Sequence, residues 1–186
     1  HWRGIRTTSD GTGRMNPSDV SLAGLIALGL AALVCLVGPV LVQARWARGR
    51  RWLWVSFGFG ILTFAVSQLL TRIPLITRVL PVLPEWRAML GDALLAAAVL
   101  SVSAAVFEET GRLVVMSAFM RRERRTHADG VSFGLGHGGL EAFVLVGLGL
   151  AGVLVLGVAV RAGAWDALTA GLPDEGVAAL RAQLGG

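Results

Sequence analysis

Apolar residues fall into four long runs separated by short polar or proline-bearing breaks. Each run is close to or beyond the roughly 20 residues that an α-helix needs to cross a hydrocarbon core of about 30 Å. The first, Val20 to Leu41, is uncharged throughout and has Pro39 near its exit. The second, Trp52 to Leu70, opens on Trp52 and Trp54, side chains suited to the headgroup layer. The third, Leu90 to Met120, is long for one crossing and predicts a helix that tilts or projects a turn or two beyond the bilayer on the Arg112 side. The fourth, Val131 to Val160, holds Gly134, Gly136, Gly138, Gly139 and Gly147, which permit a neighbouring helix to approach closely. Between the second and third runs, Pro74, Pro81 and Pro84 forbid regular helix, so Thr71 to Arg87 is expected as a loop.

The pattern predicts an all-α fold, a polytopic transmembrane helical bundle with four visible spans that forms the N-terminal part of a larger bundle. Residues 1–19 are expected as a disordered extension, 20–160 as the membrane-embedded domain, and 161–186 as an amphipathic tail toward further helices. In that tail Leu168, Leu172, Val177, Leu180 and Leu184 are loosely spaced among Asp166, Asp174, Glu175 and Arg181.

Composition agrees: 54% of the 186 residues are apolar and 16% charged, and the mean hydropathy is +0.67, high for a soluble domain. The net charge of +5 would suit nucleic acid, but the arginines sit in short segments between apolar runs and no interleaved aromatic and basic platform exists. Nucleic acid is therefore excluded as a partner, and the lipid bilayer is expected. Cys35 is the sole cysteine, so an intrachain disulfide or a cysteine-ligated zinc site is ruled out by arithmetic.

Arginine placement predicts a topology, because cytoplasmic loops collect basic residues. Arg45, Arg48, Arg50 and Arg51 mark one cytoplasmic loop, and Arg121, Arg122, Arg124 and Arg125 another. The expected product is an integral protein of a bacterial plasma membrane with loops 42–51 and 121–130 in the cytoplasm and 71–87 outside.

Two polar clusters interrupt the apolar runs. Glu108, Glu109 and Arg112 stand together in the third, where each charge near a helix centre costs roughly 2.5–3.5 kcal/mol on insertion scales unless partnered. Helical spacing puts Glu108 at i, i+4 and Glu109 at i, i+3 from Arg112. Adjacent residues point about 100° apart, so one arginine is not expected to serve both carboxylates fully, and the glutamate left over is the candidate base. His137 and Glu141 repeat the i, i+4 spacing in the fourth run. With a third loop of only about ten residues, the third and fourth spans are expected to be antiparallel neighbours. The two clusters then lie at similar depths, and a glutamate and a histidine converging on one water suffice for general-base hydrolysis. Against this stand a structural ion pair locking two helices, and a divalent metal such as zinc held by His137, Glu141 and Glu108, although the His-Glu-x-x-His signature is absent. A non-enzymatic transporter subunit or helix-binding partner, with the same charges structural or relaying protons, is the rival from another class.

Glu108-Glu109-Thr110-Gly111-Arg112 after an apolar helix, then Gly136-His137-Gly138-Gly139-Leu140-Glu141 opening the next, resembles the YhfC-type membrane peptidases. Gln68 to Pro74 at the close of the second span is similar as well, so the likeness runs from about residue 20 to about residue 160. A more distant similarity links Glu-Glu-x-x-x-Arg and a later histidine to the type II CAAX prenyl endopeptidases. The resemblance implies an intramembrane endopeptidase, metal-assisted or not, acting on a membrane peptide or lipid-modified protein. In it Glu108 activates water with His137, Glu109 and Arg112 organise Glu108, and Glu141 orients the histidine or assists a metal. It also implies a further histidine on helices beyond these.

Overall fold

A computed structural model describes residues 14–120 and 126–184, and among them the fold is all-α, a polytopic helical bundle. Among the described residues, four helical stretches are long and apolar enough to cross a membrane: Leu22–Trp46, Leu53–Val82, Ala93–Ala118 and His127–Arg161. All four expected spans are present. The α-helices are α1 (Leu22–Trp46), α2 (Leu53–Phe64), α3 (Pro84–Leu90), α4 (Ala93–Ala118), α5 (His127–Glu141), α6 (Leu148–Arg161), α7 (Trp165–Thr169) and α8 (Asp174–Leu184).

The chain divides into two compact units, one within His1–Val34 and Val146–Gly186, the other Cys35–Leu145. In the first, Met15, Val20, Leu25, Val160 and Trp165 form a small buried core, against which Leu168, Val177, Leu180 and Leu184 pack. The tail is helical, with Leu168, Val177, Leu180 and Leu184 turned onto this core and Leu172 exposed. Part of the stretch expected as a disordered extension is folded: Pro17–Asp19 is a 3-10 turn and Met15 is buried. Arg161 ties that turn down by donating to the carbonyls of Pro17 and Val20. Residues 1–13 lie outside the described residues.

The second unit is organised on the second span. Gln43, fully buried, donates to the carbonyl of Leu53 at 3.0 Å and so joins the end of α1 to the start of α2. Gly49 makes the turn between them with φ of +73°, a conformation that glycine adopts without strain. The loop expected over Thr71–Arg87 is instead helical. π turns cover Ala65–Arg72 and Leu75–Val79, a 3-10 turn covers Leu80–Val82, and α3 follows. The prolines do stop regular α-helix, but the wider and tighter turns accommodate the missing N–H groups, and Pro81 and Pro84 sit in the first turns of their segments, where no N–H partner is needed.

α5 packs most extensively on α2. A Cβ on Gly60 would lie 2.0 Å from the Phe133 carbonyl oxygen, and one on Gly136 2.0 Å from that of Phe57, so the two backbones touch where both residues lack side chains. Of the other glycines named in the fourth span, Gly139 meets Pro39, whereas Gly134 and Gly138 face open space. Asp129 closes a capping box with Thr126 at the start of α5 and accepts from Ser56 of α2 at 2.7 Å. α4 also packs on the second span, with Gly111 against Ser67 and Thr63. The third and fourth spans were expected as direct neighbours, yet each packs chiefly on the second, because the small residues at 60, 136 and 111 allow closer approach there. Val115, Met120 and Phe133 form the buried cluster in which α4 and α5 do meet.

Candidate functional site

His137 is fixed by the α2–α5 crossing. It follows Gly136 directly, is 4% exposed, and its ring stands edge-on to Phe64 with centroids 5.5 Å apart and stacked on Phe133 at 6.3 Å. Its Nε2 lies 3.8 Å from Glu108 Oε2, beyond direct hydrogen-bond length. Neither ring nitrogen has a hydrogen-bond partner among the described residues, and a polar group so buried normally finds one.

Glu108, on α4, is held at both oxygens. Oε1 accepts from Gln68 Nε2 at 2.9 Å, and Oε2 lies 3.1 Å from an Arg112 terminal nitrogen. The other terminal nitrogen of Arg112 reaches Glu109 Oε1 at 2.9 Å. One arginine therefore does serve both carboxylates, contrary to expectation, because the guanidinium fork spans the i−3 and i−4 directions at once. The carboxylates differ in surroundings instead: the Glu108 side chain is 20% exposed, that of Glu109 69%.

Glu141 ends α5, half-buried, and makes no hydrogen bond with any described residue. Among the described residues His137 and Glu141, which helical spacing places on one face, form no hydrogen bond or ion pair with each other. The imidazole leans back along its helix and stacks on Phe133, four residues earlier.

Two site residues were not singled out for chemistry by sequence reasoning. Gln68 is 4% exposed and bonds Glu108, while Arg72 donates to Gln68 Oε1 at 3.2 Å and to Ser103 Oγ at 3.1 Å. A legible signal existed: a glutamine and an arginine at i, i+4 in an apolar run, the spacing that drew attention to the other two clusters.

A catalytic zinc site takes three protein ligands. Among the described residues no group of three or more His, Cys, Asp or Glu side chains converges in that way. The nearest pair, His137 and Glu108, offers one imidazole and a carboxylate whose facing oxygen already meets a guanidinium cation. These donors do not by themselves fit a metal.

A family model described as "YhfC intramembrane metalloprotease" matches residues 32–184. Over 65 residues the chain is 45% identical to "Uncharacterized membrane protein YhfC" of Bacillus subtilis (strain 168), a match covering 35% of this chain and 25% of that protein. The matched stretch thus spans about a quarter of that relative's length. No solved structure matches.

Proposed function

The chain belongs to the YhfC intramembrane metalloprotease family, and from that premise we propose that it hydrolyses a peptide bond of a membrane peptide or lipid-modified protein, with Glu108 and His137 activating the water. The observation that carries this reading is the 3.8 Å gap between Glu108 Oε2 and His137 Nε2, a separation that one bridging water can span with a hydrogen bond to each. Glu108 takes the water proton as the oxygen attacks the peptide carbonyl carbon. The proton then passes to the amine as the C–N bond breaks, leaving a carboxylic acid and an amine. His137 orients the water through Nε2. Arg112 holds Glu108 in place by direct pairing with Oε2, and Glu109 steadies Arg112 from the exposed side.

The same reading sets the membrane orientation by the basic residues: loop 42–51 lies in the cytoplasm of a bacterial cell. The basic segment 121–125 that would mark the other cytoplasmic loop lies outside the described residues. The family is described as one of metalloproteases, and His137 and Glu108 by themselves supply no complete metal cage.

The test is co-expression of the full chain with epitope-tagged single-span reporter proteins, scored for cleaved fragments. Glu108→Gln and His137→Ala should each lower cleavage by about 10²–10⁴-fold while membrane abundance stays near wild type. Were the charges a structural lock, Glu108→Gln would instead lower abundance, and removing Arg112 as well would restore it.

A further inference from the structure

Arg72, Gln68 and Glu108 form a chain of hydrogen bonds whose direction is fixed by chemistry. A guanidinium only donates and an ionised carboxylate only accepts, whereas an amide does one at each end. Gln68 sits between them with Oε1 accepting from Arg72 and Nε2 donating to Glu108 Oε1. Turning the amide over would face oxygen to carboxylate and NH2 to guanidinium, so both neighbours oppose the flip. Arg72 is itself anchored on α4, where Nε donates to Ser103 Oγ and a terminal nitrogen donates to the Leu100 carbonyl. Ser103 Oγ donates to that same carbonyl at 2.9 Å. The path therefore leaves α4 at Leu100 and Ser103, crosses to the π-helical Ala65–Arg72, and returns to α4 at Glu108.

We infer that Gln68 and Arg72 are positioning residues: by occupying Oε1 of Glu108 they leave Oε2 as the oxygen presented to His137. The catalytic meaning of this arrangement rests on the hydrolase reading above, but the arrangement itself does not. Two facts favour positioning over mere packing. Gln68 is buried, so its donor is shielded from competition by solvent. The carboxylate it bonds is the more buried of the pair, while the exposed Glu109 receives nothing from the second span.

The experiment uses the full chain in lipid nanodiscs with 13C-labelled glutamate, reading the carboxylate stretch of Glu108 by infrared difference against Glu108→Gln. Gln68→Ala should displace that band, and Arg72→Lys, a milder change, should displace it less. Gln68→Glu is nearly isosteric and keeps an acceptor for Arg72 while removing the donor to Glu108. It should behave as Gln68→Ala does. On a cleaved reporter both Gln68 variants should lower kcat by about 10- to 100-fold with KM little changed, the pattern of a misplaced group. An unmoved Glu108 band in Gln68→Ala, or wild-type kcat in Gln68→Glu, overturns the inference. A displaced band in a protein whose wild type cleaves nothing would refute the hydrolase reading and leave the positioning pair standing.

Discussion

α5 and α4 both pack on the second span, but α5 does so backbone to backbone through Gly60 and Gly136, while α4 is joined by side chains that reach across from Gln68 and Arg72. The first attachment has no adjustable part. A helix crossing set by two absent side chains fixes the position of the next residue, and that residue is His137. The second attachment consists of donors and acceptors that can be lengthened or exchanged, and it ends on Glu108. Rigid backbone contact thus mounts the imidazole, and a directional polar tether mounts the carboxylate. On the proposed reading, Glu108 gains and loses a proton while His137 only orients, and such a pair gains from that division.

The contrast can be broken most severely at the crossing. Gly60→Val or Gly136→Val must push a side chain into a carbonyl oxygen that already sits 2.0 Å from where a Cβ would be, and should destabilise the fold by about 3 kcal/mol, the upper end of overpacking costs. Purified yield and thermal unfolding in detergent would register it. Wild-type stability in either variant would show that the crossing is not fixed as described.

A smaller effect is expected on the tethered side. Glu109→Gln removes a carboxylate that is 69% exposed and, among the described residues, paired only with Arg112, so reporter cleavage should fall less than about tenfold, against the far larger loss for Glu108→Gln. Equal losses would erase the distinction between the two acids. Smallest of all, Gly134→Ala and Gly138→Ala meet nothing within 4 Å and should be neutral or stabilising by at most about 1 kcal/mol, from helix propensity alone. A loss of stability there would mean that those faces are covered by something further, and comparison of unfolding midpoints would detect it.

The spans and the polar clusters were legible because length and hydropathy act locally. Leu22–Trp46 and Ala93–Ala118 fall within a few residues of the apolar runs that predicted them. The apolar pattern ends the second span at Leu70, whereas helical turns continue to Val82, since proline ends only the α form of helix. Those π turns also shift the phase of the residues they contain, so an α-periodic reading could not tell which face Gln68 and Arg72 would present. Among the glycines, spacing marked the fourth span as closely packed but could not separate Gly136, which touches a backbone, from Gly134, which touches nothing.

Helical class, the number of crossings and the residues capable of proton chemistry follow from the chain itself, because burial of apolar length in lipid and the cost of an isolated charge are properties of each segment. Which carboxylate meets the imidazole was decided only in three dimensions. That choice depends on where two glycines let backbones cross, on which way a histidine leans along its helix, and on a glutamine from a span that neither cluster belongs to. Each is a relation between segments distant in sequence, and no single run of residues encodes it.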